Sequence, residues 1–285
     1  KWKVVADAAP KGTVAADLKV TGLKGGHSGL EIHSGRANAI KIVGRVLMYL
    51  GELGVKLSSL DAGDKHNAIP READARIFVP KKKWEAAVEA VAEFDSAIKA
   101  EFATVEPDLS ITIEELPRVK KGKVFKKALQ NKIIRTISAL PHGVTKMSAD
   151  IPGLVETSTN VAVIKTTKKT VTLATSQRSS VDSEIIEICQ TVASIFELGG
   201  ADIEMGSGYP GWKPDLNSKI LKTAKAAYKK LYGKNPGVKA IHAGLECGII
   251  GSKFPGMDMI SFGPTIKNPH SPDEKIEIES IGKVW

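Results

Sequence analysis

Between Thr13 and Leu198 the apolar pattern changes period in the same order twice: a strand, a helix, two strands, a helix. That repeated switch is the strongest constraint on what the chain can fold into. In the first round Val14, Ala16, Leu18 and Val20 alternate with polar residues from Thr13 to Leu23, the period of a half-buried strand, and GGHSG ends it. From Arg36 to Leu53, Ile40, Val43, Leu47 and Leu50 recur at helical spacing, with Gly54 just beyond as a stop. Strand-like segments at Val55 to Leu60 and Asp74 to Val79 lead into WEAAVEAVAEFDSAIKAEF, an amphipathic helix. The second round opens on DLSITIEEL, where Leu109, Ile111 and Ile113 alternate. A helix follows over Phe125 to Leu140, then strands at Thr157 to Lys165 and Thr170 to Gln177, then a helix over Asp182 to Leu198. The order implies a duplication, each half a ferredoxin-like α+β unit with antiparallel pairing.

Beyond Gly199-Gly200 and a short strand the texture changes. GSGYPGWKPD breaks both periods, which places a domain boundary near Gly206. Asp215 or Asn217 can cap the helix SKILKTAKAAYKKLYG. A strand GVKAIH, a short helix in AGLECGIIGSK and a strand GMDMISFG come next, the grammar of an α/β fold. Roughly 80 residues are few for a separate α/β domain, so this piece is expected to be incomplete and to need partner strands. The expected organisation is a linker over residues 1–10, a duplicated α+β domain over 11–205 and an α/β piece over 206–285.

Composition narrows the class. With 42% hydrophobic residues among 285, the chain can bury two moderate cores. No apolar run reaches the roughly 18 to 20 residues that cross a bilayer, and KWKVVADAAPKGTV lacks the apolar centre of a signal peptide, so a soluble, cytoplasmic chain is expected. Cys189 and Cys247 form no CxxC pair, which argues against a disulfide framework and a zinc knuckle. The formal charge of +9 would suit nucleic acid or acidic lipid, but the lysines are scattered and no aromatic residues interleave with them. No nucleic-acid or membrane partner is expected.

Several residues are candidates for chemistry. His270 follows a strand-like segment, where open α/β sheets place ligands, and its neutral imidazole suits zinc, with an ordinary loop histidine as the plainer alternative. Ser271, Pro272 and Glu274 read as a helix start, which explains SPDE and not the histidine. His27 sits between glycine pairs in a loop where backbone can approach a ligand and an imidazole can exchange a proton. A glycine-rich turn with a solvent-facing histidine is the plainer alternative. His33, His66 and His142 share no metal-ligand spacing and read as surface or satisfied structural residues. In HAGLECG, Cys247 reads as a packed thiol rather than a nucleophile, since only His242 could lower its pKa, and Glu246 could orient a ligand or pair with a lysine. Arg178, at the end of a strand, can clamp a carboxylate with its planar fork, and Asn160 can bond a substrate carbonyl or serve a turn.

Taken together, GLKGGHSGLEIHSGRANAIK, DIPGLVETSTNVAVI, SQRSSVDSE, GYPGWKPD, KAIHAGLECGII and FGPTIKNPHSPDE resemble, in this order, the aminoacyl-histidine dipeptidases, or peptidase D. These are co-catalytic zinc metallopeptidases related to carnosinases and carboxypeptidase G, with a lid inserted in the catalytic domain. The resemblance implies that 11–205 is the lid and 206–285 the C-terminal part of the catalytic domain. It implies that His270 is a metal ligand, that His27 is a lid histidine stabilising the oxyanion, and that Asn160 and Arg178 hold the substrate. Gly244 and Glu246 would border the substrate pocket. Two zinc ions, a small Xaa-His dipeptide and pairing of lids into a homodimer belong to the same expectation. No HxD motif occurs, and the only adjacent glutamates, Glu114-Glu115, sit in a lid strand. The expectation is therefore a fragment without the N-terminal half of the catalytic domain, inactive by itself because one histidine cannot make a catalytic site that needs about three protein ligands.

Overall fold

The computed structural model describes residues 1–285 other than 120, 207, 209, 213, 214, 216, 240–244 and 268–273. The described residues divide into two compact units, one over Lys1–Gly208 and one drawn from the residues that follow.

The first unit begins with β1 (Trp2–Lys3), β2 (Ala6–Ala8), β3 (Thr13–Thr21), β4 (Gly26–His27) and α1 (Ala39–Glu52). β5 (Lys56–Ala62), β6 (Ala68–Ile69), β7 (Ala73–Pro80), α2 (Trp84–Phe102) and β8 (Ser110–Glu115) follow. β9 (Lys123–Phe125), α3 (Lys127–Ala139), β10 (Gly143–Met147), β11 (Val155–Thr166), β12 (Thr170–Ser179) and α4 (Asp182–Leu198) complete it. One eight-stranded antiparallel sheet runs in the order β1, β12, β11, β5, β7, β3, β8, with β10 also paired to β11.

The stretch β5-β7-β3-β8 has the strand order of a ferredoxin-like unit. Its last strand is the segment expected to open a second repeat: Ser110 to Glu115 pairs along β3, from Thr21↔Ser110 to Ala16↔Glu115. Alternation of Leu109, Ile111 and Ile113 determines which face of the strand is buried. It does not determine the neighbour. The second half is therefore α3, β10, β11, β12 and α4, bordered by β1, and not a copy of the first. β10 was also not expected from the sequence, because GVTKM alternates too briefly.

The two halves are joined at β11 and β5, where Ile164 pairs with Ala62. Thr166 secures the join: its hydroxyl accepts from Leu60 N (2.9 Å) and donates to Leu60 O (2.9 Å), and its own N–H donates to Asp61 Oδ1 (3.0 Å). On the helical side α1 lies against α3, and a Cβ on Gly44 would stand 2.6 Å from Ile137 Cγ2. One core spans both halves, with Ile40, Val43, Leu47 and Leu50 of α1 packed among Leu18, Ile77, Leu60, Ile133 and Ile137. Each such side chain contributes about 1.5–3 kcal/mol by leaving water.

The first ten residues are not a linker. Trp2 pairs with Val171, is 3% exposed, packs on Phe196 and donates Nε1–H to Gly199 O (2.9 Å), while β2 pairs with β9. An indole that finds both an apolar slot and an acceptor anchors a terminus that composition alone leaves loose.

Asn38 ties the helical layer to the sheet. Its Oδ1 caps α1 by accepting from Ile40 N (2.9 Å) and Lys41 N (3.2 Å), and its Nδ2 donates to Val161 O of β11 (2.8 Å) and lies 3.3 Å from His142 Nδ1. Lys41 donates to the carbonyls of Ile137, Ser138 and Leu140 at the end of α3, and burial lowers its pKa. His142 is satisfied and structural, with its pKa lowered to about 4 by burial and then by the Lys41 charge.

In the second unit, α5 (Lys219–Tyr232) is capped by Ser218, whose hydroxyl accepts from Leu221 N (3.0 Å), rather than by Asp215 or Asn217. It is followed by α6 (Leu245–Lys253), the short ladder β13 (Ile266–Lys267) with β14 (Lys275–Ile276), and α7 (Ile278–Val284). The expected strands are absent from 201–206, 237–239 and 256–263, and the rest of GVKAIH lies outside the described residues. Among the described residues only Ser218, Gly248 and Ser280 of this unit are buried, while Leu231, Phe262, Ile278 and Trp285 are exposed. A strand persists only where a neighbouring strand takes its backbone hydrogen bonds, and among the described residues no strand pairs with these segments, of which 201–206 belongs to the first unit.

Asn38→Ala removes a helix cap and leaves Val161 O buried without a donor, so stability is expected to fall by about 2–4 kcal/mol in urea titrations. Because His142 is neutral in the fold and takes a proton more readily when unfolded, its contribution is complete above pH 6.5 and lost as pH falls toward about 4. Urea midpoints between pH 7 and 4.5 are expected to fall less steeply in His142→Gln than in the parent.

Candidate functional site

His27 lies on β4, which pairs with β6 through Gly26↔Ile69 and His27↔Ala68. Two glycines make this possible. Gly25 has φ 66° and Gly26 has φ 144°, and a Cβ on Gly25 would meet Arg71 and the Ile69 carbonyl. The imidazole is oriented by the turn that follows, because Nδ1 accepts from Gly29 N (3.1 Å) and Leu30 N (3.2 Å). A neutral His27 therefore carries its proton on Nε2, which makes that nitrogen the donor.

Asn160 sits in β11, 1% exposed, and donates Nδ2–H to Ala68 O (2.8 Å), the same residue that pairs with His27. Across β11 and β12, Ser158 faces Arg178 and Asn160 faces Ser176, so Asn160 and Arg178 are diagonal neighbours on one face, roughly 7–8 Å apart by the usual sheet spacing. That face is opposite to the one carrying Val161 and Leu173 into the core. Three of its buried polar atoms have no hydrogen-bond partner among the described residues: Asn160 Oδ1, an acceptor, Arg178 Nε, a donor, and Glu156 Oε1, whose charge is met by Lys146 Nζ at 3.0 Å. Ser28 Oγ, next to His27, is likewise buried and unpartnered. Ala68 thus links His27 to Asn160, with Arg178 diagonal to Asn160 on the β11–β12 ladder.

Glu246 is exposed on α6 in the second unit, and Gly244, His242, His270 and the helix start at Ser271 lie outside the described residues. Cys247 is half-buried, and burial followed by the Glu246 carboxylate raises its pKa, which suits a packed thiol and not a nucleophile. His33 and His66 are exposed, and Glu114 and Glu115 lie exposed on the edge strand β8. Among the described residues no group of three or more His, Cys, Asp or Glu side chains could hold a metal ion, so these residues alone do not fit a zinc site.

Two known dipeptidases resemble this chain. The chain is 39% identical over 280 residues to the cytosol non-specific dipeptidase of Escherichia coli (strain K12), an alignment covering 98% of this chain and 57% of that protein. The fold superposes on the crystal structure of aminoacylhistidine dipeptidase from Vibrio alginolyticus with a TM-score of 0.89 and 41% identity, over 100% of this chain and 58% of that one. Over nearly its whole length the chain is similar to these two dipeptidases. It spans a little under three fifths of each of these two relatives. The family model described as a peptidase dimerisation domain matches residues 18–106 of the chain, nearly the whole of its ferredoxin-like half. No described helix is long and apolar enough to cross a membrane.

Sequence reasoning missed Ala68. Its strand is two residues long, and its role rests on a backbone carbonyl that no side-chain pattern announces; the neighbouring Pro70 was the available sign of a break. Asn160→Ala deletes the bond to Ala68 O, so faster amide hydrogen exchange is expected in the β4–β6 ladder, with the β3–β7 ladder unchanged.

Proposed function

We propose that the chain supplies the lid and part of the catalytic domain of a cytoplasmic, zinc-dependent dipeptidase that hydrolyses Xaa-His dipeptides. One observation carries the reading: a buried acceptor, Asn160 Oδ1, and a buried donor, Arg178 Nε, stand without protein partners among the described residues on one face of a strand pair that Asn160 ties to Ala68, the strand partner of His27. An orphaned buried polar atom costs about 1–3 kcal/mol, and a ligand that pairs with it recovers that cost.

A dipeptide has the matching groups. Its C-terminal carboxylate suits the planar guanidinium of Arg178, and its backbone N–H suits Asn160 Oδ1. His27 is arranged to donate from Nε2, because two backbone N–H groups occupy Nδ1, and that donation would stabilise the oxyanion of the tetrahedral intermediate. A zinc cofactor belongs to the complete enzyme, with His270 as the ligand expected from this chain. Since the described residues hold no such site, the 285-residue chain by itself is expected to show no turnover. The dimerisation-domain match supports a homodimer through the lid. The Escherichia coli relative is named non-specific, so the choice of Xaa-His substrates is the part of the reading that most needs testing.

In the full-length protein, His27→Ala is expected to lower kcat about 10²–10³-fold with KM little changed. Unchanged turnover would remove the histidine from the reaction. In a substrate panel, Xaa-His dipeptides are expected to exceed acylated amino acids in kcat/KM, and the reverse order would point to a lid-bearing deacylase.

A further inference from the structure

We infer that Glu31 and Arg36 form a positioning pair that sets the aim of His27 by clamping the peptide groups on both sides of Gly26. The backbone N–H of His27 donates to Glu31 Oε2 (2.8 Å), and the other carboxylate oxygen, Oε1, lies 2.7 Å from Arg36 Nη2. Arg36 Nη1 in turn donates to the carbonyl of Gly25. One ion pair thus holds the carbonyl before Gly26 and the N–H after it. The fit is close: a Cβ on Gly26 would stand 2.5 Å from Arg36 Nη1 and 2.6 Å from Glu31 Oε2.

Glu31 is itself fixed at one turn's distance from the histidine. Its N–H donates to His27 O (2.9 Å), and its carbonyl accepts from the Ser34 hydroxyl (2.6 Å). The clamp and the turn act on the same ring from two ends. The turn presents Gly29 N and Leu30 N to Nδ1, and the clamp fixes the backbone from which the imidazole projects. The side chains are 38% exposed for Glu31 and 24% for Arg36, so water screens the pair in part and its contribution is geometric rather than energetic. A guanidinium fork can bridge a carboxylate and a carbonyl at once, which an ammonium group does poorly. The consequence for catalysis rests on the proposed role of His27; the positioning itself does not.

The test has two readouts. In the 285-residue chain, ¹⁵N spectra of the histidine rings are expected to show His27 with an acceptor Nδ1 and a protonated Nε2, and Glu31→Ala and Arg36→Ala are expected to convert this to a mixture of tautomers. In the full-length protein the same variants are expected to lower kcat by up to about 10²-fold, the loss that follows a misplacement of about 1 Å, with KM nearly unchanged. Glu31→Gln, which keeps an acceptor for His27 N, is expected to recover most of both signals. Arg36→Lys is not. If the alanine variants fail to fold, Glu31→Gln and Arg36→Lys carry the comparison, and equal behaviour of these two overturns the clamp. Unchanged ring signals and unchanged kcat in folded variants also overturn it. An inert His27→Ala beside shifted ring signals would instead reject the proposed function and leave the clamp standing.

Discussion

The candidate site depends on the peptide group of Ala68. Its strand partner is His27, and its carbonyl takes the side-chain amide of Asn160, so a two-residue strand connects a glycine-rich loop to the long strand that also orders Arg178. A hydrogen bond to a buried amide contributes only about 1 kcal/mol net. Its value here is geometric, because it ties the short ladder that carries His27 to the strand that carries Asn160. Asn160 Oδ1 and Arg178 Nε remain unpartnered among the described residues, which is uncommon in a protein interior.

That local arrangement is stiff because the sheet beneath it is continuous. β11 pairs with β12 along its length, with β10 at its start and with β5 near its end, and Asn38 occupies Val161 O between those two neighbours while capping α1. The strand therefore has few backbone groups with which to slip. Register matters in such a strand, since a shift of β11 by one residue would carry Asn160 to the opposite face of the sheet, away from Arg178 on β12.

Much of this was legible in the residues. The alternation in Thr13–Thr21 and the helical spacing of Ile40, Val43, Leu47 and Leu50 mark elements found within a few residues of their expected limits. Their long, regular patterns report burial, and burial is local to the element. What failed was neighbourhood. Ser110–Glu115 reads as a strand and is one, yet its partner is β3, because an apolar stripe does not name the strand beside it. Trp2 looks like part of a linker until Phe196, far along the chain, supplies its slot. For the site, His27, Asn160 and Arg178 were identifiable as types suited to the chemistry, with the resemblance assigning roles. Their convergence depends on Ala68, a backbone contact that sequence pattern does not encode. The clamp of Glu31 and Arg36 was equally hidden, since Arg36 reads only as the start of a helical pattern and nothing in the residue pattern joins Glu31 to it.

The most direct test is a crystal structure of the full-length protein with a non-hydrolysable dipeptide analogue. The account predicts the ligand carboxylate on the Arg178 guanidinium, a ligand N–H on Asn160 Oδ1, and His27 Nε2 within hydrogen-bond distance of the group replacing the scissile carbonyl. A ligand bound in the catalytic cleft with Asn160 Oδ1 and Arg178 Nε still without partners would contradict it.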